Sequence, residues 1–560
     1  MKLSDIYGYG QLFGFSGMDG KTDESDDFIA MLMRQPIEIR FELPEPLSVY
    51  IPVSENCKFF AVMSDFLLAE DEGKSIAVAW ADAYTMIGRS EIPAQVLQGR
   101  YACNAEGETT VYRYESRYVG FARNGARFAV SYGRSAAAAA RRAADGLNQA
   151  TDAVLRLRAG YYECLPPCKD ERYEKLYYKA LSVNKVNVYS PAGGIPVRYT
   201  TPDRVPHKHM WLWDSVFHAL AWAQYDCNMA QDAVAAVLSQ QREDGFIPHR
   251  MSCRGYADNM TQPPVLAYGV WNVYKVSGDR QFLRICADKL EQYLRWDIAN
   301  RDSNGNGLLE WLIEENEDCR SGESGMDNSP RFDEALTLDA VDFSVFLAND
   351  AGCLAKIFGE LGEVEKAAEW NAVRNKTADA VNAMLWCEED GLYYDLKTDG
   401  SFSKVASVAS FLPLFAGIAP EDRAEKLVRV LTDKNKFMTD LPVASVSKEN
   451  KAFGQDMWRG AVWLNYNYMI VCGLRRYGYS SLARQLRDVT LESVNRRYLA
   501  TGSIFEFYDS ENKRVPFELE RKGACPKVPD WRKKVHSISD YNWSACFTML
   551  MIQNVYYECD

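Results

Sequence analysis

The sequence predicts a mainly α protein, an (α/α)6 toroid preceded by an antiparallel β-sandwich. Residues 1 to about 132 read as one strand after another, with no helical pattern between them, as in a layered β domain. From Asp170 onward almost every segment repeats its apolar residues at helical spacing, in roughly a dozen segments. Long loops rich in Gly, Pro, Asp and Trp separate those segments. Helices paired as hairpins and joined by such loops close most simply into a ring, with function placed in the loops at one end.

Each element has its own signal. Ile37-Glu-Ile-Arg-Phe-Glu-Leu43 alternates apolar and polar residues without a break, as a half-buried strand does. Thr110 to Glu115 and Phe121 to Ser131 alternate more loosely, with Asn124-Gly125 as a hairpin turn. The character changes at Ser135, which caps a helix opening with Ala136 to Ala140 and running to about Arg158. This Ala- and Arg-rich helix reads as a connector. The expected divisions are therefore a β-sandwich over 1–132, a helical linker over 133–165 and the toroid over 166–560. Trp213, Phe217, Leu220 and Gln224 share one face of a toroid helix. Phe343, Phe346, Leu347, Leu354, Ile357 and Phe358 share a face of another. Asp540-Tyr-Asn-Trp-Ser544 precedes a last helix, Ala545 to Val555, that should close the ring.

Bulk composition excludes several classes. The chain has 560 residues, 47% hydrophobic and 25% charged, which is ordinary for globular proteins. Its net charge of −13 argues against nucleic acid and anionic membranes as partners, since both call for a basic face. No apolar run reaches the length of a membrane span, and Met1-Lys-Leu-Ser-Asp5 opens no secretory signal. The 14 cysteines follow no regular spacing, and the Cys164/Cys168 pair lacks a second pair to complete a zinc site. Free thiols in a reducing cytoplasm are the expectation. The 13 Trp, 32 Tyr and 25 Phe mostly fill a large core, but their excess in loops supplies flat faces on which sugar rings stack. The oligomeric state leaves no mark in the sequence.

Two carboxylates stand apart. Asp327 lies in Glu323-Ser-Gly-Met-Asp-Asn-Ser-Pro-Arg-Phe-Asp333, between Gly325 and an Asn-Ser-Pro turn. Glu506 lies in Ile504-Phe-Glu-Phe-Tyr-Asp509, wedged between aromatics. Cleaving a glycosidic bond needs two such groups: one protonates the leaving oxygen, and the other activates water or attacks the sugar.

Other motifs offer ligand groups, and each has a plain structural alternative. His207-Lys-His-Met-Trp-Leu-Trp-Asp-Ser215 opens a helix, where Asp214 could accept sugar hydroxyls and Trp211 and Trp213 could stack, or Asp214 could simply cap and the indoles fill core. His207 and His209 lack a third partner for a metal. Asp244-Gly-Phe-Ile-Pro-His249 and Thr261-Gln-Pro-Pro264 are turns with one inward-capable side chain each, His249 and Gln262. Met457-Trp-Arg-Gly-Ala-Val-Trp463 opens another helix, with Arg459 as a hydrogen-bonding fork and Trp458 and Trp463 as walls. Asp302-Ser-Asn-Gly-Asn-Gly-Leu-Leu-Glu310 places oxygens at alternate positions with glycine sixth, as a calcium loop begins. The twelfth-place Glu is missing, since Ile313 stands there. A structural Ca²⁺ on Asp302, Asn304, Asn306 and Glu310 therefore competes evenly with a metal-free turn.

Taken in order, HKHMWLWDSVFHA, DGFIPH, TQPPV, ESGMDNSPRFD, MWRGAVWLNYNY, FEFYD and YNWSA make the chain resemble the inverting α-glycosidases of glycoside hydrolase family 63 over about residues 170–556. That group holds mannosylglycerate hydrolases and processing α-glucosidases, and trehalases share its plan. The trehalases' Arg- and Gly-rich signatures are not intact here. The resemblance implies that Asp327 is the general acid and Glu506 the general base. It further implies that Trp211, Trp213 and Asp214 line the first sugar site, and a sandwich before the toroid also occurs in some relatives. The candidate substrate-binding set is His207, Trp211, Trp213, Asp214, His249, Gln262, Gly325, Trp458, Arg459 and Trp463.

The expected reaction is hydrolysis of small α-glucosides or α-mannosides with inversion, one terminal sugar at a time. Asp327 should then sit in surroundings apolar enough to raise its pKa, and Glu506 should be ionised. No nucleotide or redox cofactor is expected, because no phosphate-binding loop or dinucleotide fingerprint is present. Two rivals remain. A disaccharide phosphorylase of the same architecture needs one acid and a phosphate pocket, and a non-catalytic sugar-binding protein has no use for both carboxylates. Lyases built on a toroid use Tyr or His, which suits an acidic chain with five His poorly.

Overall fold

The structure is a computed structural model of the whole chain, and it describes all residues except 1–10, 25–27, 34–35, 107, 317–318, 335–336, 524–534 and 558–560. The chain forms two compact units. The first takes residues 1–192, 203–208 and 495–504, and the second takes 193–202, 209–494 and 505–560.

The first unit is a sandwich of two antiparallel sheets. One has the spatial order Gln11–Phe13, Ala30–Met33, Ile37–Phe41, Leu47–Ile51, Gln95–Gln98. The other runs Ala102–Glu106, Thr109–Tyr114, Arg117–Asn124, Arg127–Gly133, Thr85–Ser90, Lys74–Asp82, Phe66–Asp71, Lys58–Val62. In Ile37–Phe41 the apolar residues are buried and the polar ones half-buried, so the two-residue period read from the sequence sets the inward face. Phe28 stacks on Phe41 at 4.5 Å and meets Trp80 edge-on at 5.6 Å, joining the inner faces of both sheets. Asn124 pairs with Arg127 across a two-residue turn in which Gly125 takes φ +58°.

The Ala-rich segment departs from expectation in two ways. It is two helices, Ala136–Asn148 and Thr151–Glu163, broken where Gln149 turns extended at ψ 143°. It is also not a free connector. Ala139, Ala143 and Gly146 form a small-residue face pressed on the larger sheet, so close that a Cβ at Gly120 would lie 2.5 Å from the Ala139 carbonyl oxygen. The alanines are there for close approach as well as for helix propensity.

Residues 166–192, expected with the toroid, cluster with the sandwich for an electrostatic reason. Lys185, on helix Glu174–Val186, is fully buried between Asp19 at 3.0 Å and Asp65 at 2.5 Å. Arg158 reaches Asp19 at 3.0 Å. Buried charges hold only when paired this way.

The second unit is the toroid. Counting Glu174–Val186 of the first unit, twelve α-helices lie between residues 170 and 560 among the described residues. Six of them, Leu212–Trp222, Leu266–Ser277, Val341–Leu361, Leu412–Ala416, Leu464–Arg476 and Asn542–Ile552, form a closed inner ring: each packs on the next and the last packs on the first. Asn542–Ile552 is buried on every side, as a ring-lining helix must be, and it begins three residues before the position expected from sequence. Glu421–Leu431 is an outer helix, burying only Ala424, Leu427 and Leu431 at helical spacing. Polar groups knit the ring at its starts: the Asp350 carboxylate accepts from the backbone N–H of Ala267 (2.8 Å) and Tyr268 (3.0 Å), capping a neighbouring helix. No helix among the described residues is long and apolar enough to cross a membrane.

Candidate active site

The segment carrying Asp327 is clamped at both ends by buried charge. On one side Glu323 accepts from the N–H of Thr261 (3.0 Å) and Leu312 (2.8 Å) and from the Arg301 fork (2.7 and 3.1 Å). On the other, Arg331 is buried and forked onto Asp342 and Asp395. Asp327 sits between these anchors with its side chain 24% exposed.

Glu506 is anchored through its neighbours. Tyr508 exchanges two backbone hydrogen bonds with Val462 (2.8 and 3.0 Å), and the Glu506 N–H donates to the Ile538 carbonyl at 2.8 Å. The Glu506 side chain is 3% exposed. Arg521 donates to both its oxygens, at 3.1 and 3.2 Å.

The next residue along, Lys522, places its ammonium 2.7 Å from Asp327 Oδ2. Two adjacent cations thus take one candidate catalytic carboxylate each. Their backbone is fixed as well: the Asp456 carboxylate accepts from the N–H of Lys522 (2.6 Å) and Gly523 (2.8 Å).

This corrects the electrostatic expectation. Burial does push the Asp327 carboxyl up, but the Lys522 ammonium, with Arg521 behind it, outweighs burial and holds it below the usual carboxylate range. With Lys522 so placed, Asp327 is a carboxylate, not the raised acid that an apolar pocket would give. His249, buried and 3.1 Å from Asp258, is itself pushed down by burial, so at neutral pH its imidazole is uncharged.

Tryptophans connect the two carboxylate loops. Trp458 and Trp463 stack face to face at 4.0 Å. Trp463 lies 5.1 Å from Phe507, the neighbour of Glu506, and the Trp458 backbone N–H donates to Asn328 Oδ1, beside Asp327. Trp543 meets Trp463 at 5.7 Å and Trp213 at 5.3 Å, both edge-on. Trp213 then rests on Gly325, two residues before Asp327, and the Gln262 side chain accepts from the Trp213 backbone N–H at 3.1 Å. A closed circuit of indoles thus runs from one side of the Asp327 loop to the other and touches the Glu506 loop on the way. The indole N–H groups of Trp458 and Trp543 are buried without a hydrogen-bond partner among the described residues, and buried donors are rarely left so.

The remaining candidates sit as follows. Asp214 is buried in the first turn of helix Leu212–Trp222. Trp211 pairs in a short strand with Arg250, whose guanidinium lies 5.8 Å above its ring. Arg459, expected to hold sugar hydroxyls, forks instead onto Asp333. His207 falls in the first unit, where its Nδ1 lies 2.6 Å from Asp203.

In the loop expected to hold calcium, the Asn304 and Asn306 amides donate to Asp339 (3.1 and 2.8 Å), and their oxygens accept from backbone N–H groups of residues 306 and 308. Glu310 accepts from Ser303, and Asp302 Oδ2 accepts from the Gly307 N–H while its Oδ1 is buried without a partner among the described residues.

Residues 207–544 match the family described as the mannosylglycerate hydrolase MGH1-like glycoside hydrolase domain. The chain belongs to this family. It is a glycoside hydrolase. It is 28% identical over 392 residues to mannosylglycerate hydrolase MGH1 of Selaginella moellendorffii, covering 55% of this chain and 77% of that one. It is 24% identical over 437 residues to the glucosylglycerate hydrolase of Mycolicibacterium hassiacum, covering 59% of this chain and 93% of that one. Among solved structures its fold resembles that of the family 63 mannosylglycerate hydrolase of Thermus thermophilus in complex with glucose, with TM-score 0.55 and 24% identity, covering 68% of this chain and 100% of that one.

Within this glycoside hydrolase, sequence reading missed Arg521, Lys522, Asp456 and Asn328. Leu519-Glu-Arg-Lys-Gly523 looks like any solvated charge run. Only the path of the chain after Glu506 turns it back onto both carboxylates. Trp543 was visible inside the YNWSA motif, but its place as the link between two indoles was not.

Proposed function

We propose that the enzyme hydrolyses small α-linked glucosides or mannosides with inversion, releasing one terminal sugar, with Asp327 as general acid and Glu506 as general base. The observation that carries this reading is the indole circuit, which brings both carboxylate loops together on one cluster of buried tryptophans.

In this mechanism Glu506, oriented by the Arg521 fork, takes a proton from a water on one face of the ring. Asp327 gives its proton to the glycosidic oxygen on the other. Inversion requires the two carboxyl groups to stand about 6.5–9.5 Å apart, so that the water fits between base and sugar. The two cations keep the pair of acids from repelling one another in a partly dry site. Phosphorolysis needs a phosphate pocket in place of a base, and a carboxylate at Glu506 forked by Arg521 speaks for water instead.

The names borne by relatives, mannosylglycerate hydrolase and glucosylglycerate hydrolase, make α-glycosides of glycerate the first substrates to try. Purified enzyme given α-mannosyl- and α-glucosylglycerate, then maltose and nitrophenyl α-glycosides, should release free sugar from at least one without added phosphate. Release that requires phosphate would favour a phosphorylase, and sugar binding with no turnover would favour a binding protein.

A further inference from the structure

Asp327 as found is unsuited to act as an acid, because an ammonium ion 2.7 Å away holds it as a carboxylate. The two ion pairs of the site also differ in kind. Arg521–Glu506 is a planar fork on a carboxylate, with side chains only 5% and 3% exposed. Lys522–Asp327 is a point charge on a flexible stem, with side chains 22% and 24% exposed. A fork is built to stay, whereas a lysine ammonium is able to swing between acceptors. Asp456 pins only the backbone of Lys522, leaving the four-carbon stem free to move.

Charge balance says what could draw it away. The two carboxylates and two cations cancel. Protonating Asp327 leaves Lys522 unpaired in a largely buried place, which is costly, unless a new anion arrives. Among the described residues, the other groups that face Asp327 do not fill that role. Arg521 is held by Glu506 and His249 is neutral. Glu314 and the Cys319 thiol, from the preceding loop, are both pushed toward their protonated forms, burial first and the Asp327 charge adding to it.

We propose that Lys522 gates the general acid: an aglycone bearing a carboxylate takes the ammonium from Asp327, which then gains the proton that it passes to the glycosidic oxygen. The inference rests on Asp327 being the acid. The proton on Asp327 comes from solvent and leaves on the alcohol product, and the water's proton goes to Glu506, so the step balances. Lys522 is thus a positioning residue that sets which aglycones are cleaved.

The test compares α-glucosylglycerate with its neutral counterpart α-glucosylglycerol, and the matching mannosides, for wild type, Lys522→Met and Lys522→Arg. Wild type should favour the carboxylate by about 10²-fold or more in kcat/KM, Lys522→Met should shrink the ratio below about 10, and Lys522→Arg should retain most of it. On the neutral substrate, Lys522→Met should also carry its alkaline limb to higher pH, because losing the ammonium lets the Asp327 carboxyl rise. Should that variant fail to fold, wild type alone still decides, since its alkaline limb must lie higher with the anionic substrate than with the neutral one. Equal rates on both substrates in an enzyme that Asp327→Asn disables would overturn the gate and leave the hydrolase reading standing. An enzyme inactive on every α-glycoside would overturn both.

Discussion

Gly325 lies directly beneath Trp213, so close that a Cβ at 325 would stand 2.4 Å from the indole Cζ2. Gly325 also takes φ +71°, a conformation side chains resist. Both facts concern the turn that presents Asp327. Gly325→Ala should therefore displace either the indole or the acid. The expected result is a lower melting temperature, equivalent to about 1–3 kcal/mol, with a fall in kcat greater than that of a matched surface variant. Unchanged stability and turnover would show that Trp213 does not hold this turn in place.

Asp327→Asn should lower kcat by about 10²-fold or more on substrates with poor leaving groups, and by less on nitrophenyl glycosides, whose aglycone departs without a proton. Circular dichroism should be unchanged, since Glu323 and Arg331 anchor the segment on either side. Near-normal turnover of an alkyl glycoside would remove Asp327 from the acid's role.

Glu506→Gln should abolish turnover whatever the leaving group, because water activation does not depend on the aglycone. Azide should restore some of it by forming a β-glycosyl azide, a nucleophile that needs no base. A covalent sugar trapped on Glu506 would instead make the enzyme retaining.

Calcium at Asp302, Asn304, Asn306 and Glu310 stays a proposal. The buried, unpartnered Asp302 Oδ1 speaks for an ion, and so does Asp339 beside the loop, pushed up by burial and by the Glu310 and Asp302 charges. An ion would share the two asparagine oxygens with their backbone donors, since an amide oxygen carries two lone pairs. The expected outcome is a melting temperature that rises with calcium concentration, as it must when a ligand binds the native state alone. Identical melting in chelator and in calcium would leave the turn held by its own hydrogen bonds.

Local patterns carried the fold further than the site. Ile37–Phe41 was legible because burial imposes its two-residue period residue by residue, and the inner helix Val341–Leu361 because its large apolar residues recur at helical spacing. The alanine run misled, since helix propensity and close packing on a sheet favour the same residue. Lys185 gave no hint of its burial, because its two aspartates come from positions 19 and 65. In the site, Asp327, Glu506 and the tryptophans stood out through their unusual neighbours. Lys522 and Arg521 did not, for a cation's partner is set by three-dimensional proximity, and a short charged run on its own reads as surface.

The central claim is that Asp327 and Glu506 cleave an α-glycoside by direct attack of water. Proton NMR of the first seconds of hydrolysis, on α-glucosylglycerate or whichever α-glycoside proves a substrate, tests it most directly. The account predicts that the β-anomer of the free sugar appears first and mutarotates afterwards. Initial release of the α-anomer would contradict it.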